Sequence, residues 1–247
     1  MVTTESIIHV RNMVKKFGGF VANDNLNFDV YRGEIFGFLG ANGAGKTTAM
    51  KILCGLSLPT SGEIKVAGFD VYKETNLIKR NIGYMSQRFS LYEDLSVYEN
   101  IRFYGGIYGL SRKLIRERAD FLLETLNLSD IRNKLIKDLP LGWRQKLAFS
   151  VAIFHKPGIV FLDEPTGGVD PITRRQFWEM IYQAAADGIT VFVTTHYMDE
   201  AEYCNRVSIM VDGKIRALDT PEGLKKQFAA ATMNEVFLKL ARNNQSV

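Results

Sequence analysis

Apolar residues in this chain gather into short runs divided by turn-forming residues. Ile35-Phe36-Gly37-Phe38-Leu39, Ile159-Val160-Phe161-Leu162 and Ile189-Thr190-Val191-Phe192-Val193 are almost unbroken. Runs without polar alternation predict strands buried on both faces of a mainly parallel sheet. Ile82-Gly83-Tyr84-Met85 predicts another short strand. Nearer the N-terminus, Ile7-Ile8-His9-Val10 reads as a strand and Asn25-Leu26-Asn27-Phe28-Asp29-Val30 alternates as a half-buried one does; Gly62–Gly68 reads as a strand bounded by glycines. From Phe89 to about Asp138 the pattern turns helical. One helix is predicted over Val97–Tyr104 behind the cap residue Ser96, and a second over Arg112–Asn127 with Leu114, Ile115, Phe121, Leu122 and Leu126 among charges. A third starts near Leu139 and ends at His155-Lys156-Pro157. A last one is predicted around Glu235–Leu240, ahead of a polar tail expected to fray.

The Ile35–Leu39 strand runs into Gly40-Ala41-Asn42-Gly43-Ala44-Gly45-Lys46-Thr47-Thr48, and Ala49-Met50-Lys51-Ile52-Leu53 then reads as a helix. Strand, glycine-rich turn and Lys-Thr opening a helix is the P-loop pattern. The glycines let backbone N–H groups converge, and these donors with the positive helix end bind phosphate oxygens. Lys46 adds a mobile charge for the outer phosphates, and Thr47 a hydroxyl for Mg²⁺. A dinucleotide-binding loop fits less well, because the glycine spacing differs and Lys46 would have no role.

Two other buried runs also end in chemistry: one in Asp163-Glu164-Pro165-Thr166, the other in Thr194-Thr195-His196. Ligands of such sheets bind beyond the carboxyl ends of the strands, so these residues and the P-loop are expected on one edge. There Asp163 would hold Mg²⁺ opposite Thr47, and Glu164 would act as general base on an attacking water. Gln87, after the Ile82–Met85 strand, would reach the metal or the water, and His196 would steady the γ-phosphate. His9 and His155 have no such setting.

The 247 residues, 46% hydrophobic and 23% charged, suffice for one large α/β domain with appendages or two small ones. No apolar run approaches the roughly 20 residues that span a bilayer, and Met1–Glu5 has no leader layout, so the chain is expected to stay in the cytoplasm. Cys54 and Cys204 in apolar contexts read as reduced packing residues. A net charge of +4 without a basic run gives no support to nucleic-acid binding.

In combination these motifs resemble the ATP-binding subunit of an ABC transporter, over nearly the whole chain. Gly40–Thr48 matches Walker A, Ile159–Glu164 Walker B, Gln87 the Q-loop, His196 the switch histidine, and Gly167-Gly168-Val169-Asp170-Pro171 the D-loop. Phe17 matches the aromatic that stacks on the base; a packing role is open for it too. Ile82–Ser96 and the tail Met233-Asn234-Glu235-Val236-Phe237 are similar to the ABC-2 exporter branch. The resemblance implies an α/β P-loop NTPase (RecA-like) fold: a mainly parallel core, an N-terminal antiparallel β part and an inserted helical subdomain. Residues 1–87 and 146–220 would form the nucleotide-binding core, 88–145 the helical subdomain with the signature loop, and 221–247 a C-terminal extension. It implies ATP and Mg²⁺, a second copy or paralogous ATPase subunit, and an integral membrane subunit holding the chain at the cytoplasmic face of the membrane. Nucleotide contacts would come from Phe17, Gly40, Asn42, Gly43, Ala44, Gly45, Lys46, Thr47 and Thr48, with Leu141, Gly142, Trp143 and Asp170 acting across a dimer. The membrane partner is expected near Gln87 and Phe89–Tyr92, though Phe89, Leu91 and Tyr92 equally suit local packing.

One motif departs from the family. Where the signature is Leu-Ser-Gly-Gly-Gln, this chain has Leu139-Pro140-Leu141-Gly142-Trp143. Pro140 offers no hydroxyl but suits a first helical position, leaving the N–H groups of Leu141, Gly142 and Trp143 for phosphate. Losing one hydrogen bond to a charged group, roughly 1.5–3 kcal/mol, would weaken the closed dimer or slow turnover by about tenfold to a hundredfold, abolishing neither. Trp143 either replaces lost contact area or simply packs. Two rival readings are a soluble ATPase acting on nucleic acid or ribosomes, and a switch subunit that barely hydrolyses.

Overall fold

The computed structural model describes residues 5–87 and 91–243. The first four residues, Phe89 of the expected docking segment and the end of the polar tail lie outside the described residues. Two long strands, β1 (Ser6–Phe17) and β2 (Phe20–Tyr31), form a hairpin, followed by β3 (Ile35–Gly40), α1 (Lys46–Leu53), β4 (Ser61–Val66), β5 (Phe69–Asp70), α2 (Thr75–Asn81) and β6 (Ile82–Met85). A helical stretch holds α3 (Val97–Ile107), α4 (Arg112–Thr125) and α5 (Leu141–Ala152). The chain then alternates through β7 (Ile159–Asp163), α6 (Pro171–Ala186) and β8 (Thr190–Thr195). It finishes with β9 (Arg206–Val211), β10 (Lys214–Asp219), α7 (Pro221–Gln227) and α8 (Met233–Asn243).

Among the described residues the strands make two sheets. One is antiparallel in the order β2-β1-β4-β5, the N-terminal β part expected from the sequence. The other runs β10-β9-β3-β8-β7-β6, parallel throughout except for the β9–β10 edge hairpin. Each unbroken apolar run is a central strand, every residue of β3, β7 and β8 being buried. Their side chains serve two cores in alternation. Leu39, Val160, Leu162, Val191 and Val193 face α5 and α6 with the helical stretch. Phe36, Phe38, Phe161 and Phe192 face α1 and the antiparallel sheet. On that second side, Phe28 and Phe36 stack at 5.8 Å, and Phe192 lies 5.3–5.6 Å from Phe38, Phe161 and Phe36. Such double-sided burial leaves the strands one registry: Leu39 opposite Thr195, Asp163 opposite Thr194, Met85 opposite Leu162. The ends of β3, β8, β7 and β6 therefore meet at one edge.

The helical stretch differs from expectation at its boundaries. α3 is fixed by a full capping box between Ser96 and Glu99 and runs on to Ile107. The helix expected from Leu139 to His155–Pro157 starts at Leu141 and stops at Ala152, ahead of Lys156 at φ 60°. Both cysteines are buried and free, and burial pushes their thiols up.

Candidate functional site

The P-loop is shaped by what its glycines touch. A Cβ at Gly40 would lie 2.6 Å from the Met210 carbonyl of β9, and one at Gly45 would collide with the Ala22 carbonyl of β2. Gly45 also has φ 100°, which only glycine adopts cheaply. Gly43, at φ 83°, faces open space instead. Asn23, fully buried, donates to the Gly45 carbonyl at 3.1 Å and braces the turn from beneath. No side chain caps α1, so its first N–H groups stand available to an anion. Lys46, 4% exposed, lies across the loop and donates to the carbonyls of Gly40 at 2.7 Å and Ala41 at 3.0 Å. Burial lowers its pKa, and the nearby carboxylates of Glu164 and Asp163 oppose that.

At the end of β7, Asp163 Oδ1 accepts from Thr47 Oγ1 at 3.2 Å and from Thr194 Oγ1 at 2.7 Å. Burial raises the Asp163 pKa, while the two hydroxyls pull it back. Glu164 follows in the left-handed region, φ 48°, with its N–H donating to the Thr194 carbonyl and hydroxyl, each at 3.1 Å. That turn swings its side chain out of the strand's alternation and into a polar cluster. Glu164 Oε2 lies 3.0 Å from both Gln87 Nε2 and His196 Nδ1, and Oε1 lies 3.5 Å from Lys46 Nζ. Gln87 thus meets the carboxylate of Glu164 rather than the Thr47–Asp163 pair. His196 likewise makes its contact with Glu164.

Phe20 and Ala22 of β2, Asn42, Gly43 and Gly45 to Thr48 of the P-loop, Gln87 and Glu164 line one cavity of about 280 Å³. Phe17 is the cross-strand partner of Phe20 at the hairpin tip, 55% exposed, with Lys15 Nζ 4.9 Å above its ring. Leu141, Gly142 and Trp143 line, with Gly168, Val169 and Asp170, another cavity of about 330 Å³, and Leu141 also reaches a smaller one shared with Gln87 and Glu164. Two expectations about this loop are corrected. Pro140 is the N-cap of α5, not its first helical residue. Its carbonyl accepts the Trp143 N–H at 3.1 Å, so this donor is engaged inside the helix and only those of Leu141 and Gly142 precede it. Asp170 also has a structural role, because its Oδ1 caps α6 by accepting from the N–H groups of Ile172 and Thr173 at 3.0 Å each.

A family model described as ABC transporter matches residues 23–167. The chain belongs to the ABC transporter family. Over 241 residues, 96% of this chain, it is 46% identical to the Escherichia coli protein named "Probable multidrug ABC transporter ATP-binding protein YbhF", of whose length it spans 42%. It is 34% identical over 246 residues to the linearmycin resistance ATP-binding protein LnrL of Bacillus subtilis, covering 79% of it. Among solved structures it resembles, at TM-score 0.78 and 27% identity, a dimeric post-hydrolysis ATP-binding cassette, MJ0796, bound to ADP and phosphate; the match covers 86% of this chain and 98% of that one. The chain is accordingly an ATP-hydrolysing nucleotide-binding unit of the ABC type.

The residues of this ABC unit also suit a magnesium ion. Among the described residues no three His, Cys, Asp or Glu side chains form a metal cage. Thr47 Oγ1 and Asp163 Oδ1 are hard oxygen donors beside the phosphate cradle. Mg²⁺ is held in this way at phosphate sites, by one or two protein oxygens with the rest supplied by phosphates and water. Sequence reasoning missed Thr194, Asn23 and Phe20. Threonine inside an apolar strand and asparagine in an alternating one carry no charge to signal a role. Phe20 was legible as the partner of Phe17 across the two-residue Gly18-Gly19 turn.

Proposed function

We propose that two copies of this unit, or one copy and a paralogous subunit, bind two ATP molecules head to tail and drive export across a membrane. The observation carrying this reading is the Glu164 carboxylate, shared by Gln87, His196 and Lys46 at the mouth of the P-loop cavity. A carboxylate held on several sides beside a phosphate cradle suits a general base for an attacking water. Mg²⁺, held by Thr47 and Asp163, would neutralise charge on the phosphates. The base of ATP stacks at the Phe17–Phe20 hairpin tip. The Pro140–Trp143 loop and Asp170 share a cavity that none of the P-loop residues lines, which supports a role for them on the nucleotide of the other copy. Residues 1–87 and 146–220 work as the nucleotide-binding core, 88–145 as the helical arm, and 221–247 as an extension.

The membrane subunit docks near Gln87 and Leu91–Tyr92, where Tyr92 is 51% exposed and packs 4.8 Å from Phe103. No helix among the described residues is long and apolar enough to cross a membrane. In this reading the chain works at the cytoplasmic face through that partner, and the exporter class is supported by the relatives named for multidrug transport and linearmycin resistance. Glu164→Gln tests the reading. It should retain ATP binding, lose hydrolysis by about a hundredfold to ten-thousandfold, and accumulate as a nucleotide-bound dimer in size-exclusion chromatography. Wild-type turnover in that variant removes Glu164 as the base.

A further inference from the structure

Glu200 is a buried carboxylate with no place in the reaction described so far. It lies in the 3₁₀ turn Met198–Tyr203, fully shielded from solvent. Its two oxygens accept from two hydroxyls, Oε1 from Thr166 Oγ1 and Oε2 from Thr195 Oγ1, each at 2.6 Å. Both threonines are 1% exposed. Thr195 Oγ1 also accepts the Tyr197 N–H at 3.0 Å, so its proton goes to Glu200 while its lone pair holds the backbone just past His196. Arg174 of α6 brings Nε to 3.7 Å from Glu200 Oε1, and its guanidinium lies 4.4 Å over the Tyr197 ring. Tyr197 lies 4.1 Å from the His196 ring.

Burying a carboxylate is costly, and an apolar side chain of similar volume would serve packing as well or better. What Glu200 supplies is a rigid fork between two segments. Thr195 directly precedes His196. Thr166 follows Glu164 and opens the segment through Asp170, whose Gly168–Asp170 part lines the cavity with the Pro140–Trp143 loop. We propose that Glu200 is a positioning residue that ties the His196 turn to the Thr166–Asp170 segment. The contact of His196 with Glu164 inside one chain and the loop that meets the second chain are then set by one carboxylate. This rests on the reading of Glu164 and His196 given above.

Glu200→Gln keeps the volume but replaces one acceptor by a donor, so one threonine proton loses its partner. Turnover counted per mole of bound ATP should fall by at least about tenfold, with ATP affinity within about twofold of wild type, since the P-loop is untouched. In a Glu164→Gln background, Glu200→Gln should also lower the ATP-dependent dimer fraction. Thr166→Val should reproduce the loss in part, and Thr166→Ser, which restores the hydroxyl, should recover it. Packing alone predicts the reverse order for that pair, because valine keeps both branches and serine drops a methyl. If Glu200→Gln does not fold, the Val–Ser pair decides: a Val-specific loss supports the fork, and equal turnover overturns it. Turnover unchanged in Glu200→Gln overturns it as well, as does turnover lost only in step with ATP affinity. The two readings fail separately. Wild-type turnover in Glu164→Gln removes the base, whereas an inactive Glu164→Gln beside an active Glu200→Gln removes only the fork.

Discussion

His196 holds Nδ1 3.0 Å from Glu164 Oε2. The carboxylate leaves a left-handed backbone at φ 48°, a conformation that costs a non-glycine residue on the order of 1–2 kcal/mol. The backbone is pinned to Thr194, so the strain is converted into a fixed direction for the side chain. What the imidazole adds is the last rotational constraint. His196→Ala should therefore lower turnover by about tenfold to a hundredfold, the worth of one hydrogen bond to a charged group. ATP affinity should stay near wild type. Steady-state kinetics beside equilibrium nucleotide binding separates the two: affinity falling by the same factor would make His196 a nucleotide ligand instead.

Lys46 is the second expectation. With Nζ on the carbonyls of Gly40 and Ala41 and Glu164 Oε1 3.5 Å away, its charge is buried and partly compensated. Triphosphate is the stronger partner. Lys46→Met should weaken ATP binding by about tenfold to a hundredfold. A thermal-shift series reads this directly, because the rise in Tm with ATP depends on ligand concentration over Kd. An undiminished ATP shift in the variant would place the phosphates elsewhere.

How much of the fold and site is legible in the chain follows the strength of the local signal. Ile35–Leu39, Ile159–Leu162 and Ile189–Val193 announce the buried strands, because a strand with both faces covered has no room for polar alternation. Asp163, Glu164 and His196 stand out as polar residues ending those runs. The β9–β10 hairpin carries a signal of its own: Asp212-Gly213, at φ 50° and 75°, is the preferred pair for a tight right-twisted turn. α6 is likewise marked by Asp170-Pro171, a cap followed by proline at the first helical position. Glu200 is not legible at all. In Met198-Asp199-Glu200-Ala201-Glu202 it looks like any surface acid, and only the crossing of β8 with the segment after β7 buries it. Pro140 sits one position ahead of the first helical residue, a difference that local sequence does not encode at a helix end.

His155 should make the chain acid-sensitive. Its ring stacks on Tyr108 at 3.5 Å, and Nε2 lies 3.2 Å from the Ile82 carbonyl. Burial lowers its pKa from 6.5 to about 4, with a bond to that carbonyl opposing and Arg118 assisting. The folded state thus favours the neutral ring. Its contribution is complete above pH 6.5 and is lost as pH falls from there towards 4, on the order of 2 kcal/mol after discounting for a partly exposed group. His155→Gln should be less stable than wild type at pH 7.5 and should close much of that gap by pH 4.5. Chemical denaturation at the two pH values checks this, and a gap independent of pH would contradict it.

Pro140→Ser probes the departure in the signature loop. Pro140 caps α5 with φ −56° and ψ 150°, nearly the angles of Ser111 (−65°, 150°) and Thr220 (−63°, 152°), whose hydroxyls cap their own helices. Serine therefore fits without strain. As a cap it contributes about 1 kcal/mol, while losing proline frees the unfolded chain by about 0.4–1 kcal/mol. These nearly cancel, so Tm should hardly move. Any functional gain then comes from the hydroxyl itself, placed beside the Leu141 and Gly142 N–H groups that, on the proposed function, would face the other copy's nucleotide. Turnover in a membrane-reconstituted complex, or dimer formation by Glu164→Gln in the Pro140→Ser background, should rise by up to about tenfold. Unchanged turnover with an unchanged Tm would mean that backbone donors alone close this site, and that proline costs the enzyme nothing.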